Sequence, residues 1–223
     1  MTLDIRLHAI LDPSRTRGRS LADLARAAVD GGATVLQYRD KDAATWTMVS
    51  RAREIVEAVA GSMVPVLVND RVDVALAAGA HGVHVGEDDM HPADARRLLG
   101  PAAVVGRTVK SVAHADAVPL DDVSYVCVGG VFATSSKHNP EPPVGLDGLA
   151  VLIARLRGRG FAAPIGAIAG IGLDNAPAVI GAGADGIAVI SEIFMADDPA
   201  AATRSLRAAV DAALARRASE TRP

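Results

Sequence analysis

The chain has 223 residues, with 23 Lys or Arg against 26 Asp or Glu, which gives a formal net charge of −3. This composition lacks the basic excess typical of proteins that bind nucleic acid, so we expect no nucleic-acid partner. Half of the residues (50%) are hydrophobic, enough for a sizeable core. The single Cys127 excludes an intramolecular disulfide and a Cys-rich zinc site, and it is typical of a reducing compartment.

The N-terminal apolar run is interrupted by the charged residues Asp4 and Arg6. It therefore lacks both the core of a signal peptide and the roughly 18 apolar residues that a membrane span requires. We predict a cytoplasmic protein without a membrane partner.

Short apolar segments alternate with segments of helical periodicity along the chain. The predicted strands cover residues 5–10, 35–38, 64–68, 82–85, 103–106, 125–128, 164–168 and 186–190. The predicted helices cover residues 21–29, 45–59, 72–78, 92–99, 114–118, 146–157, 175–180 and 200–215. Aromatic residues form only 3% of the chain while small and aliphatic residues abound, a composition typical of parallel strands buried on both faces.

Three predicted helix-to-strand junctions share a glycine stop, a small residue and a β-branched strand. Their glycines, Gly32, Gly79 and Gly183, are separated by 47 and 104 residues, or two and four units of about 25 residues. Eight strand–helix units predict a single α/β domain over residues 1–223, closed into a (β/α)₈ TIM barrel. An open doubly wound sheet is the alternative. We expect residues 216–223 to form a frayed tail.

The catalytic groups of such a barrel gather at the carboxyl ends of the strands and in the loops that follow. The polar candidates after strands two to six are Gln37, Tyr38, Arg39, Asp40, Lys41, Asn69, Asp70, Asp89, Thr108, Thr134, Ser135, Ser136 and Lys137. Arg39, Lys41 and Lys137 follow separate strands and predict an anionic ligand, because guanidinium and ammonium groups suit phosphate oxygens. The alternative is that these cations are solvated loop charges.

Two carboxylates, Asp70 and Asp89, follow adjacent strands and offer hard oxygen ligands. So sparse a pair is typical of magnesium that also binds substrate phosphate and water. The alternative is that they form ion pairs with Arg71 or Lys110.

A second anion site is predicted after strands seven and eight. Gly170, Ile190 and Ser191 lie where these barrels bind a phosphate monoester on backbone amides. The alternative is a tight turn that needs glycine for its dihedral angles. Within the barrel, His84 alternates with two valines, so we expect it to pack inside with a hydrogen-bond partner rather than bind a metal.

Five segments together resemble the thiamine phosphate synthase family over nearly the whole chain. They are QYRDK (37–41), NDRVDVALAAGAHGVHVGEDD (69–89), GGVFATSSK (129–137), AIAGI (167–171) and AGADGIAVIS (182–191). The resemblance implies a transferase that joins hydroxymethylpyrimidine diphosphate to hydroxyethylthiazole phosphate and releases diphosphate. It also implies that departure of diphosphate leaves a pyrimidine carbocation, which the thiazole nitrogen captures.

The resemblance also implies roles for single residues. The pyrimidine diphosphate would be bound by Gln37, Tyr38, Arg39, Asp40, Lys41, Asn69, Thr108 and Lys137, of which Arg39, Thr108 and Lys137 would be catalytic. The thiazole phosphate would be bound by Thr134, Ser135, Ser136, Gly170, Ile190 and Ser191, and Mg²⁺ by Asp70 and Asp89. Three positions depart from the family pattern: Thr108 replaces a serine, Ser136 a threonine, and Ala169 the first glycine of Gly-Gly-Ile.

Two other functions stay open at this point. A thiazole tautomerase is a related barrel, but it is expected to lack the carboxylate pair and to have a histidine where Gly130 stands here. A non-catalytic protein that binds thiamine precursors would share the same binding residues. The sequence also leaves open whether the chain acts as a monomer or as a homodimer.

Overall fold

Eight parallel strands pair in chain order, and β8 pairs with β1 to close a barrel. The structure is a computed structural model that describes residues 3–134 and 142–220. The strands are β1 (Leu7–Leu11), β2 (Val35–Tyr38), β3 (Val66–Asn69), β4 (Gly82–Val85), β5 (Val104–Val109), β6 (Tyr125–Val128), β7 (Ile165–Ile168) and β8 (Gly186–Val189). The predicted (β/α)₈ barrel is thereby confirmed, and the open sheet is wrong.

Helices alternate with these strands around the outside of the barrel. They are α1 (Leu21–Asp30), α2 (Thr45–Ala58), α3 (Val72–Ala78), α4 (Pro92–Leu99), α5 (Val112–Asp116), α6 (Gly145–Gly158), α7 (Ala176–Gly181), α8 (Ser191–Phe194) and α9 (Pro199–Glu220), with a short 3₁₀ helix at Pro13–Arg15. Local signals set several ends: Ser20 caps α1 through the Asp23 amide, and Gly79 ends α3 at φ +70°. No helix in the described ranges combines the length and apolarity that crossing a bilayer requires.

The expected frayed tail is wrong for residues 216–220, because α9 continues to Glu220. The Arg217 guanidinium donates hydrogen bonds to the carbonyls of Ile180 and Ala184, at 2.9 and 2.7 Å, and pairs with Asp185. These contacts fasten the last turns of α9 to the end of α7 and the approach to β8. Residues 221–223 lie outside the described part of the chain.

The apolar core has two layers, because successive side chains of a strand point to opposite faces. Val35, Leu67 and Tyr125 belong to the layer inside the barrel. Leu36 and Tyr38 belong to the larger layer between strands and helices. Alternation therefore decides which residue near a strand end faces the barrel interior.

Candidate active site at the carboxyl end of the barrel

A cavity of about 300 Å³ is lined by residues at the carboxyl ends of the strands and in the loops beyond them. The predicted site residues in its lining are Gln37, Arg39, Asn69, Thr108, Thr134, Gly170, Ile190 and Ser191. Residues predicted for two different phosphate groups thus share one cavity. Ser135, Ser136 and Lys137 lie outside the described residues.

Arg39, which lines this cavity, and Lys41, which does not, are each paired with a carboxylate. The Arg39 guanidinium pairs with Asp12, and the two side chains are only 14% and 6% exposed. The Lys41 ammonium pairs with Asp70 and is half exposed. The mostly buried Arg39 pair has lost much of its hydration, so the alternative of a freely solvated charge does not describe Arg39.

The two predicted magnesium ligands lie beside each other. Asp70 follows β3 at φ +64°, and its amide donates to the His84 carbonyl at 2.8 Å. Asp89 Oδ2 accepts the Gly86 amide proton at 2.7 Å. Burial, and then the neighbouring Asp70 carboxyl, raise the pKa of Asp89. The left-handed backbone of Asp70, uncommon outside glycine, is typical of a functional position.

The alternative ion pairs for these carboxylates are not the ones observed. Arg71 pairs instead with Asp73, at 2.6 Å, next to it on α3. Asp70 is paired, but with Lys41 from the loop after the neighbouring strand β2. Lys41, Asp70 and Asp89 therefore form one cluster of two close carboxylates and a cation rather than two isolated ion pairs, and none of the three lines the cavity.

Tyr38 and Asp40, also predicted to bind the pyrimidine diphosphate, do not line the cavity. Tyr38 is fully buried on the helix side of β2, and its hydroxyl donates to Asp40 Oδ2 at 2.9 Å. Asp40 also pairs with Arg51 of α2, at 2.7 Å, and accepts the amide protons of residues 42 and 43. The contacts of both residues thus organise the loop between β2 and α2.

The loop after β7 is a tight backbone turn. Gly170 has φ +63°, and a Cβ there would lie 2.4 Å from the Ala133 carbonyl oxygen. Ala169 has φ +93°, a conformation that favours glycine. Asn175 braces the turn, since its amide donates to Gly170 O and its Oδ1 accepts from Gly172 N, both at 2.9 Å. A requirement for glycine is therefore real at Gly170, whether or not a phosphate binds there.

Comparison with known proteins places the chain in a family. A family model described as thiamine monophosphate synthase matches residues 7–193. The chain belongs to this family.

Curated relatives and a solved structure agree with this assignment. The chain is 53% identical to a thiamine-phosphate synthase of Agrobacterium fabrum over 212 residues, 95% of this chain and 96% of the relative. It is 46% identical to the enzyme of that name from Chloroflexus aurantiacus, over 93% of this chain and 94% of the relative. A thiamine phosphate pyrophosphorylase from Pyrococcus furiosus superposes with a TM-score of 0.82 at 33% identity, over 95% of this chain and 98% of that one. The predicted resemblance to the thiamine monophosphate synthase family is confirmed.

Several polar residues of the cavity lining were not among the predicted site residues, including His8, His84, Lys110 and Glu192. His8 lies on β1 beneath the mouth and is 3% exposed, and its Nε2 has no hydrogen-bond partner among the described residues. Burial, and then the nearby His84, lower the pKa of His8 to about 3, so its ring is neutral. Gln37 Nε2 is likewise buried and unpaired in the described part of the chain. The cavity floor of this thiamine monophosphate synthase family member thus presents two unsatisfied polar groups, an arrangement that water or a polar ligand normally relieves.

Proposed function

We propose that this chain transfers the hydroxymethylpyrimidine group from its diphosphate to hydroxyethylthiazole phosphate, giving thiamine phosphate and diphosphate. The carbon–oxygen bond to diphosphate breaks with its electron pair going to oxygen, and the thiazole nitrogen forms the new bond to carbon. One observation carries the proposal: a single cavity joins Arg39 on one side to the Gly170 turn and Ser191 on the other. Family membership and the names of the relatives support it.

Asp70 and Asp89 would hold a magnesium ion. Their chemistry fits, because both are hard oxygen ligands and a divalent cation would favour the charged form of Asp89, whose pKa is raised by burial and then by the Asp70 carboxyl. Across residues 3–134 and 142–220 no group of three or more metal-ligating side chains occurs, so substrate oxygens and water would complete the coordination shell. When bound, the ion would neutralise charge on the leaving diphosphate.

Arg39, Lys41, Asn69, Thr108 and Lys137 would bind the pyrimidine diphosphate, with Gln37 contacting its ring from the cavity floor. Arg39 is fixed by Asp12, so its remaining donors are preorganised for an anionic oxygen. Preorganised charge contributes most as the leaving group gains its full negative charge. The same cations would hold the diphosphate in line with the acceptor nitrogen.

The thiazole phosphate would bind on the opposite side, where the predicted ligands are Thr134, Ser135, Ser136, Gly170, Ile190 and Ser191. The braced turn at Gly170 offers backbone amides in a fixed arrangement. Glu192 lines the cavity next to Ser191, and its carboxylate would disfavour an anion placed too close to α8. We therefore propose that the phosphate binds nearer to Gly170 and Thr134 than to the Glu192 side chain.

The decisive experiment mixes both substrates with the protein and magnesium and measures thiamine phosphate and diphosphate together. We expect the two products in equal amounts, and none when a chelator is present. Isomerisation of a thiazole without diphosphate release would indicate the tautomerase. Binding of both substrates without either product would indicate a non-catalytic binding protein.

We also propose a cytoplasmic location and leave two assembly states to experiment. The lone cysteine, buried in the barrel, supports a reducing compartment. Light scattering during gel filtration distinguishes a monomer from a homodimer, and cell fractionation tests the location.

A further inference from the structure

We propose that Tyr125 and His84 are positioning residues that fix the direction of the Thr108 hydroxyl, so that it donates its proton into the cavity. Neither residue is among the predicted site residues. The identity of the anion that receives this proton rests on the proposed function. The direction of the hydrogen bonds among Tyr125, His84 and Thr108 does not depend on the proposed function.

Strand register brings the three groups together. His84 on β4 is level with Gly106 on β5, and Gly106 is level with Tyr125 on β6. Because Gly106 has no side chain, the two rings meet across it, with centroids 5.4 Å apart. A Cβ at Gly106 would lie 2.3 Å from the Tyr125 ring and 2.5 Å from His84 Nδ1. The glycine therefore creates the space in which the contact forms.

The hydrogen bonds form a chain from the barrel interior to the cavity. Tyr125 Oη lies 2.7 Å from His84 Nδ1, and His84 Nε2 lies 2.7 Å from Thr108 Oγ1. Tyr125 and His84 are 1% and 8% exposed, whereas Thr108 is half-buried and lines the cavity. The expectation that His84 packs inside the barrel with a hydrogen-bond partner is confirmed.

The number of protons on each group determines which partner donates in each hydrogen bond between Tyr125, His84 and Thr108. Among the described residues, His84 Nδ1 is the one hydrogen-bond partner of the Tyr125 hydroxyl, which must therefore donate to it. Burial raises the pKa of Tyr125 well above its usual value, so the phenol keeps its proton. Nδ1 is then an acceptor, and a neutral His84 has its proton on Nε2, from which it donates to Thr108 Oγ1.

Thr108 is consequently an acceptor toward His84 and a donor toward the cavity. Its hydroxyl makes no further hydrogen bond within the described ranges, so its own proton is available to a ligand oxygen. With the opposite His84 tautomer, Thr108 would give its proton to Nε2 and present only lone pairs to the cavity. Lone pairs would repel an anionic oxygen, so the tautomer determines whether Thr108 helps or opposes anion binding.

The tautomer can be measured directly on the ligand-free protein. Two-bond ¹H–¹⁵N correlation spectra distinguish a histidine protonated on Nε2 from one protonated on Nδ1. We expect the Nε2–H form for His84 in the wild type and a substantial Nδ1–H population in Tyr125→Phe. Tyr38→Phe removes another buried hydroxyl, one that contacts Asp40, and should leave the His84 signals in place. An Nδ1–H wild-type ring, or no change in Tyr125→Phe, would overturn the proposal.

Steady-state kinetics then test whether the direction of these hydrogen bonds affects turnover. We expect Tyr125→Phe to lower kcat about 5- to 10-fold, as loss of one oriented hydrogen bond to developing charge does, with circular dichroism confirming the fold. In a Thr108→Val background the same change should cost less than twofold, because no hydroxyl remains to be oriented. Equal losses in both backgrounds would mean that Tyr125 acts only through packing. The tautomer measurement stands even if the protein catalyses a different reaction.

Discussion

On one side of the barrel, beyond the ends of β2 and β3, the chain carries paired charged side chains, whereas on the other side, beyond the end of β7, it forms a glycine turn that is braced by hydrogen bonds to its backbone. The first side places Arg39 against Asp12 and Lys41 against Asp70. The second side depends on Gly170, whose turn is braced by Asn175. Where charged side chains form a site, substitutions that change their charge should have the largest effect on function. Where backbone groups form it, substitutions that change the shape of the turn should.

The largest effect is expected from a charge change on the first side. Asp89→Asn should lower turnover on the order of 100-fold, because a neutral amide is a poor ligand for Mg²⁺. The same variant should be more stable without metal, since it removes a carboxylate whose charged form is disfavoured by burial and then by the neighbouring Asp70, the two causes that raise the pKa of Asp89. Steady-state kinetics and chemical denaturation in chelator measure the two effects.

Asp88→Asn is the matched control, because it removes the same charge from an exposed neighbouring residue. It should change neither turnover nor the increase in the free energy of unfolding that added Mg²⁺ produces. If Asp89→Asn retained wild-type turnover and were stabilised by Mg²⁺ as much as the wild type, the metal would lie elsewhere.

A change of shape on the second side should come next. Gly170→Ala places a Cβ against the Ala133 carbonyl and forces a residue with a side chain to adopt φ +63°. We expect affinity for hydroxyethylthiazole phosphate to fall on the order of 30-fold, or about 2 kcal/mol, with pyrimidine diphosphate affinity unchanged. Calorimetric titration with each substrate measures this. Gly181→Ala, where the added methyl meets open space, should leave both affinities unchanged. Equal losses for the two substrates in Gly170→Ala would place the thiazole phosphate elsewhere.

The cavity floor between the two sides should make stability depend on pH through His8. The pKa of His8 is lowered from 6.5 to about 3 by burial, so between these values the unfolded chain binds more protons than the folded one. Stability must then fall as the pH falls, with about 2 kcal/mol lost to this residue by pH 5.

Urea denaturation at pH 7 and pH 5 tests this dependence. His8→Gln should remove that part of the loss, whereas His91→Asn, at an exposed helix cap, should retain it. An unchanged pH dependence in His8→Gln would show that His8 is protonated in the folded protein.

The strands and most helices were predictable because their periodicity is local. Residues 82–85 and 125–128 were predicted with the bounds that β4 and β6 have. Helix α8 was missed because a helix of four residues is too short to show periodicity. The last turns of α9 were missed because they are fastened by Arg217 to carbonyls more than thirty residues away, a contact that local sequence does not encode.

The site was only partly predictable, for a related reason. Arg39 and Gly170 follow strand ends, which is where a barrel gathers its ligands. Strand alternation points Gln37 toward the barrel interior and Tyr38 away from it, so the period of two that places Gln37 in the cavity lining also excludes Tyr38 from it. His8 was missed because it lies within β1 rather than after it, and only the closed barrel shows that its ring reaches the cavity floor.

The smallest effect concerns the backbone strain at Ala169, on the β7–β8 side. At φ +93° an alanine costs roughly 1–2 kcal/mol, whereas glycine adopts this region freely but loses about 0.5–1 kcal/mol more entropy on folding. Ala169→Gly should therefore raise the free energy of unfolding by about 0.5 kcal/mol, or Tm by one to two degrees. Ala182→Gly, at an ordinary φ of −71°, should lower it by about the same amount or more. Calorimetric scans of the two variants should move in opposite directions, since only one of the two alanines has a left-handed backbone. A shared direction would mean that the turn relaxes around Ala169, and that this side of the cavity is less rigid than its braced geometry implies.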